Sequence, residues 1–228
     1  MKFFTRLCKV IPAMAFLALS VQCWAATIFD PPSGKGPAVI LLSGASGPRP
    51  YRWYAMDVAK LGYTAVLVAG QDVSIRGKES PDNLRKTIEE AQADSRVLRG
   101  KVVVIGFSLG GGGALAYAAS LKDVVAGVIA YYPNITNTNF DARDAGARIT
   151  VPTLILAGEK DTYLNCCLIE SMRKFEVGAQ STSVPFELVT YPETNHGFNL
   201  EGQYFRSDVA GDAWERTKAF LEKFHALK

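Results

Sequence analysis

Ser108 stands in Gly106-Phe107-Ser108-Leu109-Gly110, between the apolar run Val102 to Ile105 and a run of small residues from Gly111 to Ala119. A G-x-S-x-G segment between a strand and a helix is the setting of a nucleophile elbow. The turn is too sharp for side chains at its flanks, and it lifts the serine hydroxyl to the C-terminal edge of the sheet. The Leu109 N–H then lies at a helix N-terminus, aimed where an oxyanion would develop. The same five residues also fit a plain glycine-rich turn whose serine caps the helix. A base and an acid must therefore be found elsewhere in the chain.

There are two histidines, His196 and His225. His225 falls in the last turn of an amphipathic C-terminal helix, where it is expected to face solvent and complement the helix dipole. His196 lies in Tyr191-Pro-Glu-Thr-Asn-His-Gly-Phe198, a loop that follows the strand-like run Phe186 to Tyr191. The acid is expected in the turn after the strand Val151 to Gly158, which Pro152 opens. That turn is Glu159-Lys160-Asp161, and Asp161 is preferred, with Glu159 as its rival. Asp141 and Asp144 fall in a polar loop and read as solvated. Ser108, Asp161 and His196 occur in the order Ser…Asp…His, that of α/β-hydrolases and not of chymotrypsin or subtilisin.

The chemistry of such a set follows from its members. A serine hydroxyl is a poor nucleophile at neutral pH and needs a base within hydrogen-bond reach. His196 would take the Ser108 proton and return it to the leaving group, while Asp161 fixes the imidazole tautomer. A tetrahedral oxyanion needs two donors. Leu109 N–H is one, and the loop Gly44-Ala45-Ser46-Gly47 supplies the other, with Ala45 preferred and Ser46 open. Tyr131, Tyr132 and Phe198, with Phe107, are candidate substrate-binding walls, although aromatics at strand ends often simply pack.

These residues need a scaffold of alternating elements. Ala38 to Ser43, Tyr63 to Ala69, Val102 to Ile105, Val124 to Tyr132, Val151 to Gly158 and Phe186 to Tyr191 read as strands. Between them, Arg52 to Leu61 reads as a helix. Ser80-Pro81-Asp82 starts another, whose face of Leu84, Ile88, Ala91, Ser95 and Leu98 carries it to Gly100. Ala213, Thr217, Phe220 and Phe224 mark the buried stripe of a closing helix. Alternation of this kind predicts an α/β fold: a doubly wound, mostly parallel sheet with helices on both faces. The site falls at the C-terminal strand ends. Only the stretch 134–150 is available for a cap, too little for a full lid, so an open pocket is expected.

Three segments, Gly106-Phe-Ser-Leu-Gly-Gly, Ala157-Gly-Glu-Lys-Asp161 and Tyr191 to Phe198, resemble the signature segments of the dienelactone hydrolase family, a compact branch of the α/β-hydrolases. The resemblance runs from about Ala38 to the C-terminus. It implies an α/β-hydrolase fold with minimal cap and a small ester or lactone as substrate. Dienelactone hydrolases proper use a cysteine nucleophile where this chain has Ser108. They also carry an acidic residue near the end of the first core strand, where Leu41-Leu42-Ser43-Gly44 stands here. A serine hydrolase on the same scaffold fits these residues. A peptidase, acyltransferase or perhydrolase on the same triad, or a non-catalytic binding protein of this fold, are the alternatives.

Residues 1–25 read as a cleaved signal peptide. Lys2, Arg6 and Lys9 precede the apolar run Val10 to Val21, and Cys23-Trp-Ala25 makes an A-x-A-like end. That run is too short for a spanning helix and contains Pro12. Export to a secreted or periplasmic location is expected, with no stable membrane anchor, and residues 26–228 form one domain. Those three basic residues account for the whole formal charge of +3, so the remaining chain is neutral and is not expected to bind nucleic acid. The cysteines beyond the signal are the neighbours Cys166 and Cys167. They read as two free, partly buried thiols, with a vicinal disulfide as the alternative in an oxidising compartment. One adjacent pair and two distant histidines lack ligand spacing, so neither a metal nor another cofactor is expected.

Overall fold

The central strands form where β-branched and aliphatic residues run without interruption, because both of their faces are covered. The computed structural model describes residues 26–136 and 139–227. The proposed signal segment lies outside them. In chain order the elements are β1 (Thr27–Phe29), β2 (Gly36–Leu42), α1 (Arg52–Lys60), β3 (Thr64–Val68), α2 (Ser80–Ala93), β4 (Val97–Phe107) and α3 (Leu109–Tyr117). Then follow β5 (Val125–Tyr131), α4 (Ala142–Ala147), β6 (Thr153–Gly158), α5 (Ile169–Ala179), β7 (Phe186–Tyr191) and α6 (Ser207–Phe224).

The strands make one sheet in the order β1-β3-β2-β4-β5-β6-β7. The six strands from β2 onward run parallel, while β1 adds an antiparallel edge that the sequence reading did not anticipate. Along β4 successive residues serve opposite cores. Val102 and Val104 pack with Leu84 and Ile88 of α2 and Met172 and Phe175 of α5. Val103, Ile105 and Phe107 pack with Ala55 and Val58 of α1 and Ala213 and Leu221 of α6. Alternation with both faces buried is what makes the run uniformly apolar. The chain turns outward in opposite directions from β2 and β4, so their C-terminal ends border a crevice, the usual ligand position in a doubly wound sheet.

Two expectations need correction. The α2 helix ends at Ala93, not at Gly100, and Leu98 is an exposed residue of β4. Asp94 breaks the helix. Its Oδ1 accepts the Arg96 N–H at 2.9 Å, and both its oxygens accept from the Arg96 guanidinium at 2.8 Å, which holds the Asp94 carboxyl down at about 2. A side chain that bonds the backbone two residues on competes with helix propagation, and the apolar spacing did not reveal it. The second correction is His225, which is buried rather than solvent-facing. Its ring stacks on Tyr63 at 5.5 Å and its Nε2–H donates to the Ala38 carbonyl at 2.9 Å. Its neutral form is favoured by burial, which lowers its pKa.

Candidate active site

The elbow is built by residues that leave room. Ser108 has φ 50° and ψ −112°, a left-handed conformation that a residue with a Cβ adopts only when its surroundings impose it. Its N–H donates to the Tyr131 carbonyl at 2.9 Å, and its own carbonyl accepts from Gly112 N–H and Asn134 N–H at 2.9 and 2.8 Å. A Cβ at Gly106 would strike the Gly110 carbonyl, and one at Gly110 would strike the carbonyls of Leu42 and Ser43. The two flanking glycines therefore let α3 start directly against β2 and β4.

The three remote residues meet. His196 Nε2 lies 3.0 Å from Ser108 Oγ, and His196 Nδ1 lies 2.7 Å from Asp161 Oδ2. Asp161, only 3% exposed, accepts a second hydrogen bond at Oδ1 from Tyr163 N–H at 3.1 Å. With its other oxygen occupied in this way, the carboxylate presents Oδ2 to the imidazole. This arrangement places the ring proton on Nδ1 and leaves Nε2 to accept from the serine. Glu159, the rival acid, instead pairs with Arg173 at 3.6 Å. The loops after β6 and β7 are laced together by Glu159 N–H to Tyr191 O and Lys160 N–H to Thr194 O, each 3.0 Å. Those bonds bring two residues 35 positions apart into register.

The loop after β2 passes beside the serine. A Cβ at Gly44 would lie 3.4 Å from Ser108 Cβ and would collide with the Tyr51 hydroxyl. Ala45 follows Gly44 along the loop, and its carbonyl is held by Gln71 Nε2 at 2.7 Å. On the other side, Leu109 N–H is the first of α3 and has no partner within the helix.

The aromatic residues take roles different from those expected. Tyr131 and Phe198 are wholly buried and Tyr132 is 1% exposed, so none presents a surface to a substrate, and their reading as substrate-binding walls is corrected. Tyr131 reaches away from the serine, its hydroxyl donating to Ala213 O at 3.0 Å and lying 2.8 Å from Thr217 Oγ1. Phe198 packs against Tyr131, Tyr132 and Tyr191. Tyr132 supports His196: its ring meets the imidazole edge-on at 4.6 Å, and its hydroxyl donates to Asn199 Oδ1 at 2.7 Å. Burial pushes the phenols of Tyr51 and Tyr132 up, so both remain neutral.

Sequence reasoning missed Tyr51 and Tyr163. Tyr163 is 49% exposed and stacks on His196 at 4.7 Å and 11°. Its position two residues after the acid was the available signal. The neighbouring Leu164, 74% exposed, and Asn165 have φ of 47° and 50°. Cys166 and Cys167 follow, and they are joined in a vicinal disulfide rather than free. Backbone hydrogen bonds from Cys166 N–H to the Tyr163 carbonyl, and from Ile135 and Thr136 N–H to the Cys166 carbonyl, fix the chain at the pair. Both sulfurs lie within 4.8 Å of a His196 ring nitrogen. With the sulfurs bonded to one another and both imidazole nitrogens engaged, this cluster offers no thiolate ligand for a metal.

A serine at the elbow after the central strand, a carboxylate after β6 and a histidine after β7 are the arrangement of the α/β-hydrolase class. The dienelactone hydrolase family model matches residues 24–225, and the chain belongs to that family; it is a hydrolase. It is similar to a Bradyrhizobium protein described as a probable 2-oxo-3-(5-oxofuran-2-ylidene)propanoate lactonase, 26% identical over 83% of this chain and 84% of the relative. A Klebsiella pneumoniae structure described as a dienelactone hydrolase superposes with TM-score 0.73 at 18% identity, covering 88% of this chain and all of that one. Esterase 2 of Thermogutta terrifontis, phosphoramylated by tabun, gives TM-score 0.69 at 19% identity over 89% and 90% of the two chains.

Proposed function

We propose that the protein is an exported serine hydrolase of small carboxylic esters or lactones, acting through a Ser108–His196–Asp161 triad and an acyl-enzyme. The continuous contact from Asp161 Oδ2 through the imidazole to Ser108 Oγ, at 2.7 and 3.0 Å, carries this reading. His196 removes the Ser108 proton as Oγ attacks the carbonyl carbon, and the imidazolium is stabilised by Asp161. Leu109 and Ala45 N–H groups receive the developing oxyanion. His196 then protonates the leaving alkoxide, water enters, and the same steps in reverse order release the acid. The family and the lactonase relative support an ester or lactone carbonyl as the target.

An open site supports small substrates. Between β5 and β6 the described residues form one short helix, α4, which packs against α5 where Gly146 and Gly178 let the two backbones approach. Each buried methylene is worth about 0.8 kcal/mol, so a preference for long chains needs an enclosing apolar wall. In an acyl-length series of aryl esters, kcat/KM should peak at roughly two to six carbons. A peak at ten carbons or more would contradict the reading. Export is supported by the charge and hydropathy pattern of residues 1–25. Mass spectrometry of the exported protein should find Ala26 at or near the N-terminus. The decisive test of mechanism is Ser108→Ala, which should abolish both ester turnover and labelling by a fluorophosphonate while leaving the fold intact. Turnover at the wild-type rate in that variant would refute the triad.

A further inference from the structure

The Cys166–Cys167 disulfide does no work in the reaction just described, yet both its sulfurs lie within 4.8 Å of a His196 ring nitrogen. A cross-link between neighbours closes the shortest loop a chain can form, so the entropy it removes from the unfolded chain is the least any disulfide removes. Global stability is therefore a poor explanation for it. Its surroundings offer another. Cys166 N–H donates to the Tyr163 carbonyl at 2.9 Å, and the Cys166 carbonyl accepts from Ile135 and Thr136 N–H at 3.0 and 2.9 Å. The half-turn from Tyr163 to Cys166 is thus tied at its far end to the segment following β5. At its near end Tyr163 N–H holds Asp161 Oδ1, and the Tyr163 ring covers one face of His196. Between these anchors Leu164 and Asn165 both occupy the left-handed region, which Leu in particular avoids unless held there.

We propose that the Cys166–Cys167 disulfide is a redox-sensitive brace that positions Asp161 and His196, and that its reduction by a small dithiol slows catalysis. This inference rests on the proposed triad. In the step, a dithiol's thiolate attacks one sulfur and the Cys166–Cys167 bond breaks. The mixed disulfide is then resolved by the reagent's second thiol. Two electrons pass to the cysteines, which end as two thiols, and the reagent ends as a cyclic disulfide. Cys166 and Cys167 are buried, at 6% and 1% exposure, so the reagent enters when the exposed turn carrying Tyr163 and Leu164 opens. Two separate thiols need more room than one S–S bond. They press on the imidazole and release the Leu164–Asn165 conformation, so Tyr163 no longer fixes the Asp161 carboxylate. Both cysteines are positioning residues, since neither touches the reacting atoms.

The test compares the full chain in three forms: as purified without reductant, after dithiothreitol, and as the double variant Cys166→Ala, Cys167→Ala. Thiol titration verifies each state. Displacement of a catalytic group by about 1 Å can cost a factor of 100, so kcat on a short aryl ester should fall tenfold or more on reduction. KM should stay within about twofold, and kcat should return on oxidation with glutathione disulfide. The double variant, which lacks the tie but also the crowding of two thiols, should lose kcat as well and should ignore the reagent. The downfield Nδ1–H proton resonance of His196 should broaden or move on reduction, a readout independent of turnover. Unchanged kcat and resonance after verified reduction would overturn the proposal. So would two titratable thiols in the fully active purified protein, or a loss of activity that merely follows a fall of more than about 10 °C in melting temperature. If the purified protein shows no Ser108-dependent hydrolysis, the functional reading fails, and the resonance alone decides the brace.

Discussion

The elbow that holds Ser108 and the arm that holds Asp161 place their side chains by opposite means. The elbow works by absence: Gly106 and Gly110 remove the atoms that would keep β4, α3 and β2 apart, and backbone hydrogen bonds lock Ser108 in its left-handed conformation. The acid arm works by attachment. Asp161 is held by a backbone donor from Tyr163, the ring of Tyr163 lies on His196, and a disulfide with its backbone partners anchors the far end. A region built on close approach tolerates no added atom, whereas one built on attachments fails in steps as each tie is cut.

Substitutions can break that comparison. Ser108→Ala has the largest expected effect, loss of turnover. Asp161→Asn comes next: an amide cannot hold the productive imidazole tautomer, and turnover should drop on the order of 10⁴-fold. Glu159→Gln is its control and should stay within twofold, because Glu159 faces Arg173 at 3.6 Å instead of the imidazole. Steady-state kinetics of the pair will show whether the acid arm has one acid. Gly110→Ala should damage the elbow through stability before chemistry. The added Cβ meets the backbone carbonyls of Leu42 and Ser43, and forced overpacking of this kind costs roughly 1–3 kcal/mol. Denaturant unfolding should register the loss. A variant as stable as wild type would mean that the elbow has more slack than its contacts indicate.

The smallest effect lies away from both regions. Burial lowers the pKa of His225 in the folded chain, so the unfolded chain binds the proton more readily. The stability this group contributes is present above its unfolded pKa of about 6.5 and is lost as pH falls below it. Melting temperature should decline between pH 7 and 5, and His225→Gln should flatten part of that slope. An identical slope in the variant would assign the pH dependence to other groups.

Much of the fold was legible because its signals are local. Uninterrupted apolar runs mark strands covered on both faces, and glycines flanking Ser108 announce a turn of close approach. The same locality explains the misses. The end of α2 depended on the Asp94 side chain competing for the backbone, which apolar spacing does not register. The burial of His225 depended on Tyr63 and Ala38, far away in the chain. Tyr131 and Phe198 could not be told from pocket walls until the helices behind them were in place.

By itself the sequence determined the strand–helix alternation, the elbow and the order of serine, acid and histidine. Those properties follow from side-chain size, periodicity and position along the chain. Only the tertiary structure decided that Asp161 rather than Glu159 meets His196, that Tyr51 and Tyr163 border the site, and that Cys166 and Cys167 are bonded beside the base. The first of these depends on how the loops after β6 and β7 are laced together. Contacts between residues distant in sequence are settled only when the whole sheet closes around its two cores.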